Sequence, residues 1–145
     1  MFDSDTNSVV FSQGVTFGLI GQYSLDMPQK SFKVHSRAKF GSKFIQAPLF
    51  DDRPFDFYKS FVLRVSGNDA VWTRMADGVQ SRLVDRIDTT VIHQAWHPVI
   101  VYLNGQYWGQ YNMRERISRY FVGQHEGIPM EQVDDMTIIE GNSKA

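Results

Sequence analysis

The chain has 145 residues, 42% hydrophobic and 14% aromatic, enough for one domain with its own core. Its 15 basic residues stand against 16 acidic ones with no Lys/Arg run, which excludes a nucleic-acid binder driven by phosphate neutralisation. It contains no cysteine, hence no disulfide framework or thiolate metal site, and no apolar run approaches the roughly 20 residues of a membrane span.

The segment Met1 to Asn7 is acidic and polar and lacks the basic and apolar regions of a signal peptide. Residues 1–13 read as an N-terminal segment, and 14–145 as a single domain. Val15 to Ile20 reads as a strand after the Gln13-Gly14 turn. Ser31 to His35 alternates apolar and polar, the period of a half-buried strand, and Pro28 suits its entrance because it cannot donate to a ladder. Residues 37 to 53 read as loop, with a short helical or strand piece around Ile45 to Phe50. Tyr58 to Val65 is strand-like, rich in aromatic and β-branched residues. Ser66-Gly67-Asn68-Asp69 is turn chemistry and offers helix caps.

Trp72, Met75, Ala76, Val79, Leu83 and Ile87 then recur at three- and four-residue steps, predicting one apolar helix face. Gly78 inside that helix costs about 1 kcal/mol against alanine, so packing must hold it. Val99 to Leu103 and Gln106 to Met113 flank Asn104-Gly105, the strongest local hairpin signal, because a type I′ turn needs positive φ twice. Ser118 to Glu126 reads as a helix stopped by Gly127, with Pro129 starting a further turn, and Met136 to Glu140 as a last strand. The layout is α+β, a mainly antiparallel sheet with two or three helices.

Several patterns carry little chemistry. Asp3-x-Asp5-x-Asn7 imitates the start of a calcium loop but lacks glycine at the sixth position and glutamate at the twelfth. His93 and His97 have the spacing of zinc ligands on a helix, yet no glutamate adjoins them and Pro98 argues against helix. Asp51-Asp52 and Asp134-Asp135 read as solvated turns, and no G-x-S-x-G elbow occurs. No metal ligands and no catalytic residue are assigned. Tyr102, Tyr107, Trp108 and Tyr111 make a dense aromatic hairpin, either cross-strand core packing or a stacking surface for a sugar or base.

Pro28 to Val34, Leu63-Arg64, Gly67-Asn68-Asp69 and Val101 to Glu115, in this order, resemble the CotH kinase-like family, named for spore coat protein H. The similarity runs from about Gly14 to Asn142, and Leu103-Asn104-Gly105-Gln106-Tyr107-Trp108-Gly109 is its most specific part. The family is similar to a remote branch of the protein kinases. The resemblance therefore implies the small-lobe half of such a domain, with ATP and Mg²⁺ as cofactors of the complete domain and serine or threonine hydroxyls as acceptors. Later family motifs, of the Asn-x-Asp and Trp-Asp-x-Asp kind, do not occur here, so this piece is expected to be inactive alone.

Under this resemblance the cofactor-binding candidates are Lys30, Arg64, Asp77, Arg114 and Glu115. Lys30 follows a glycine-containing segment (Gly18 to Ser24) at a strand start, the place of a phosphate-holding lysine, against a bland reading as a solvated edge lysine. Asp77 matches an acidic helix position and is a partner candidate for Lys30. Arg64 could reach a phosphate or an internal carboxylate, and Arg114 and Glu115 would line the cleft where the lobes join. The implied setting is a secreted or cell-surface bacterial protein with a protein substrate or coat partner. Two rival functions remain: a glycan- or protein-binding surface module using the aromatic hairpin, and a spore-coat-type assembly piece. Apolar surface left by a missing half predicts self-association.

Overall fold

A computed structural model describes residues 1–87 and 90–139. The strands form largely where alternation places them. β1 (Thr16–Ile20) pairs antiparallel with β2 (Ser31–His35). The run from Tyr58 to Val65 is interrupted at Lys59, giving a short β4 (Phe57–Tyr58) and β5 (Ser60–Arg64). β4 pairs with β3 (Ile45–Gln46), while β5 lies beside β2. β6 (Trp96–Leu103) and β7 (Gln106–Glu115) form the predicted hairpin, and the main sheet has five strands in the order β1-β2-β5-β7-β6.

Asn104 and Gly105 sit at φ 52° and 80°, the two positive angles a type I′ turn demands. Just beyond, Tyr102 opposes Tyr107 while Val101 opposes Gly109, so Trp108 is an extra residue in a bulge.

Three helices complete the layout: α1 (Ala76–Ile87), α2 (Arg119–His125) and α3 (Met130–Val133). Ser118 caps α2 by accepting from the Phe121 backbone N–H. Asp69 caps α1 from a distance, accepting from Thr73 N at 3.1 Å and from Ala76 N at 3.0 Å.

Successive strand residues point to opposite faces. One face carries Phe32, Val34, Phe61, Leu63, Tyr111 and Met113 into a core closed by Ile45, Leu49, Phe50 and Tyr58. Val10 and Phe11 of the N-terminal segment pack against that core. The opposite face carries Arg64, Asn112, Arg114 and Trp96, matched in register across β5, β7 and β6, and α1 lies on it.

Two expectations are corrected. The apolar helical row does not face the sheet: Trp72 is 81% exposed, Leu83 52% and Ile87 82%. Trp72 and Met75 precede the helix, because Arg74 at φ 60° breaks the helical path. α1 instead meets the sheet through its small and polar side. Gly78 lies so close to Trp96 that an added Cβ would stand 2.4 Å from its ring, and this contact is the packing that keeps a glycine in the helix. The second correction concerns Met136 to Glu140. Residues 136–139 form no strand, and Glu140 lies outside the described residues. Alternation gives a strand only where a neighbouring ladder is open to it, and Ile139 stands 90% exposed beside none. Among the described residues, no helix is long and apolar enough to cross a membrane.

Candidate functional site

Three of the five candidates meet on the α1 face of the sheet. Asp77, in the first turn of α1, accepts from Arg64 Nε at 2.9 Å and from Arg114 Nη1 at 3.3 Å. Arg64 ends β5 and Arg114 lies near the end of β7, and their register puts both on one face: Arg64 opposes Asn112, and Val62 opposes Arg114. Ser81, one helical turn past Asp77, accepts from Arg114 Nη2 at 2.9 Å.

The helix is anchored at its start by a second polar group. Asn112 donates to Ser66 Oγ at 2.6 Å and to Arg74 O at 2.8 Å, and accepts from Trp96 Nε1 at 2.7 Å. These bonds tie the loop before α1 to β7 and β6, so the strand arginines and the helix carboxylate are held in one arrangement.

Beside the cluster lies an open cleft of about 340 Å³, lined among others by Arg64, Asp77, Gln80, Ser81, His93 and Arg114. Two guanidiniums share one carboxylate there, leaving a positive excess. Burial pulls the Arg114 guanidinium below its ordinary range, Asp77 opposes that, and Arg64 adds to it. Arg114 is 8% exposed and its Nε is buried without a hydrogen-bond partner. Arg64 is different: its side chain is 47% exposed, and Asp77 holds it through Nε. Pairing at that exposure adds little stability, so the arrangement positions charge more than it holds the fold.

The other two candidates are elsewhere. Lys30 donates to Leu25 O and Met27 O, both at 2.5 Å; it closes its own loop and does not meet Asp77, whose carboxylate is taken by the arginines. Glu115 does not line the cleft with Arg114, because adjacent strand residues point to opposite faces. It is 2% exposed on the core side. There it accepts from Arg53 Nε at 3.0 Å, from Ala95 N at 2.7 Å and, through its other oxygen, contacts His125 Nε2 at 3.2 Å. Burial pushes its carboxyl up, but His125, the Ala95 N–H and Arg53 together outweigh this and hold it below the ordinary range. The crevice beside it, about 10 Å³, has room for one water at most.

Sequence reasoning missed Ser81 and Arg53, and weighed His93 only as a zinc ligand. Arg53 Nη2 donates to His93 O at 2.9 Å, and His93 lines the cleft. His93 and His97 share no helix, since His97 lies in β6, and among the described residues no cluster of three potential metal ligands exists. Asp134 is a salt-bridge partner of Lys43 at 3.0 Å, not half of a catalytic pair. Asp3 accepts from the backbone of Asp5 and Thr6, a local turn in place of a calcium loop.

The aromatic hairpin divides. Tyr111 is buried, its hydroxyl donating to Lys30 O at 2.8 Å. Tyr102 and Tyr107 are 62% and 63% exposed, edge-to-face at 5.8 Å between ring centroids.

A family model described as CotH kinase protein matches residues 19–143. No curated protein matches the chain.

Proposed function

The chain belongs to the CotH kinase family, and from that premise we propose that it forms the nucleotide-binding side of a kinase-like domain. In the complete domain, ATP would supply a phosphoryl group to serine or threonine hydroxyls. The observation that carries this reading is the ion pair between Arg64 and Asp77. Protein kinases require a cation on a sheet strand paired with a carboxylate on the following helix, the cation then meeting the nucleotide phosphates. β5 precedes α1 as that strand precedes that helix. Arg64 therefore takes the role the sequence suggested for Lys30, and its fork suits two phosphate oxygens.

The cleft fits phosphates, being open and carrying two guanidiniums against one carboxylate. It does not fit a cation site of its own, because Asp77 is already engaged by both arginines. Mg²⁺ would have to arrive with the phosphates and other ligands. The chain's own contribution is to bind and orient: Arg114 and Ser81 fix Asp77 and α1, and Asp77 orients Arg64.

Calorimetry with ATP tests this. Arg64→Ala is expected to weaken binding tenfold or more, about 1.4 kcal/mol, with Lys30→Ala changing it less than twofold. Equal binding by wild type and Arg64→Ala would refute the assignment. The chain alone is expected to show no Mg²⁺-dependent ATP turnover.

A second reading, carbohydrate stacking on the hairpin, is favoured by the exposed Tyr102 and Tyr107 pair. Retention on a polysaccharide matrix that Tyr102→Ala abolishes would support it.

A further inference from the structure

A second cationic locus lies on the same sheet face, at the opposite end of β5 from Arg64. His35, the last residue of β2, opposes Ser60, the first of β5. Ser60 and Arg64 are four residues apart, roughly 13 Å along a strand. Lys33 shares the His35 face by alternation, and its partner Val62 is also the partner of Arg114. Arg37 follows two residues later. The Lys59 backbone lies beside them, its carbonyl accepting from Ser36 N at 3.0 Å, while its ammonium sits over the Phe44 and Tyr120 rings at 5.6 Å. Arg116 follows Glu115, whose partner Phe61 adjoins Ser60.

Four cationic residues thus lie near one imidazole, in a chain whose overall charge is −1. None forms an ion pair among the described residues. The ion pairs of the described residues use Lys43, Arg53, Arg64, Arg114, Arg119 and histidines, but not Lys33, Arg37, Lys59 or Arg116. The nearby carboxylate, Asp134, is held by Lys43, Arg119 and the Tyr120 hydroxyl. Lys59 donates to Lys43 O, not to an acid. His35 Nδ1 is buried and has no hydrogen-bond partner, an unmade bond that native structures seldom leave without a reason.

We propose that Lys33, His35, Arg37 and Arg116, with Lys59 beside them, form a binding site for a phosphate monoester dianion, distinct from the cleft at Arg64. The convergence on one ring calls for a compact double charge, not a long acidic stretch: a phosphate offers three strong acceptor oxygens to several donors at once. Burial, then Lys59, Arg37, Arg116 and Lys33, hold the His35 imidazole below its ordinary range. A dianion in their midst reverses the Coulombic part, so the ring itself reports occupancy.

The experiment follows the His35 ring signals by NMR in the 145-residue chain. Inorganic phosphate, a phosphoserine peptide, its unphosphorylated twin and ATP are each titrated at constant ionic strength, with chloride as baseline. Phosphate and the phosphopeptide are expected to raise the His35 titration midpoint, and the phosphopeptide to bind at least tenfold more tightly than its twin. Arg37→Ala, an exposed position, should weaken both tenfold, while Arg64→Ala leaves them unchanged. Saturation by inorganic phosphate with no preference for the phosphopeptide identifies free phosphate as the source and retains the site. ATP binding that needs Arg37 but not Arg64 retains the site as well, and overturns the placement of nucleotide phosphates at Arg64 instead. A wild-type His35 that responds to phosphate and phosphopeptide no more than to chloride overturns the proposal, whatever calorimetry shows for ATP.

Discussion

Replacing Gly78 by alanine sets two effects of opposite sign against each other. On helix propensity alone, alanine gains up to about 1 kcal/mol over glycine, Gly78 being the third residue of α1. The structure opposes that gain. The new methyl would lie 2.4 Å from Trp96 Cδ2, 2.5 Å from Cε2 and 2.9 Å from Cε3, whereas carbon atoms rest at roughly 3.5–4.0 Å. About 1 Å of overlap must be relieved. The indole cannot swing freely, because Nε1 donates to Asn112 Oδ1 at 2.7 Å. Overpacking of this kind costs about 1–3 kcal/mol, so the net effect is a loss of up to roughly 2 kcal/mol, a fall in Tm of up to about 8 °C at this chain length. Lifting α1 also moves Asp77 away from Arg64, so ATP affinity should fall with stability. Chemical denaturation and calorimetry on Gly78→Ala measure both. In a Trp96→Leu background the same substitution should become neutral or stabilising, a coupling that a double-mutant cycle reads directly. Stabilisation of Gly78→Ala by about 1 kcal/mol in the wild-type background would refute the close-contact argument.

Glu115→Gln should destabilise by about 1–3 kcal/mol, because it removes the shorter of the two carboxylate contacts of the buried Arg53 and leaves only Asp52 at 3.8 Å; a urea midpoint within error of wild type would contradict this. The native Glu115 carboxyl lies below its ordinary value of 4.5. Its contribution is therefore complete above pH 4.5 and lost as pH falls through the lower folded value. Acid unfolding followed by circular dichroism should show wild type losing stability below that point more steeply than Glu115→Gln. The exposed row Val71, Trp72, Val79, Leu83 and Ile87 predicts concentration-dependent self-association. Light scattering should show it, Leu83→Glu should reduce it, and a wild-type monomer at high concentration would dismiss it.

What was legible in the sequence was mostly local. Asn104-Gly105 dictated the hairpin because its turn angles belong to those two residues. Ser118, with Gly127 after it, bounded α2 for the same reason. β2 was found from alternation alone. What failed depended on distant partners. The row from Trp72 to Ile87 has a helical period, but period shows only that a face is apolar, not that anything covers it. The side of α1 that is covered bears Asp77, Gly78 and Ser81, chosen to meet a tryptophan and two strand arginines that sequence cannot place. Arg64, Asp77 and Arg114 were each identified singly; their convergence needed the β5–β7 register. Glu115 was assigned to the wrong face although alternation with Arg114 could have warned of it. Arg53, its partner from 62 residues away, left no local signal. Lys30 looked like a phosphate ligand because its loop context is suggestive, and that same loop supplies the carbonyls that hold it.

The adjacent residues Arg114 and Glu115 have a consequence for how β7 finds its place. Hydrophobic alternation penalises a one-residue slip of any half-buried strand, but β7 carries an additional electrostatic lock. After such a slip Glu115 would turn toward Asp77, and Arg114 would turn into the core beside Arg53. Each face would then gain a like charge, a carboxylate beside Asp77 and a guanidinium beside the buried Arg53. The misaligned sheet is thus excluded twice over by a single dipeptide, and β7 has only one pairing in which both charges are answered.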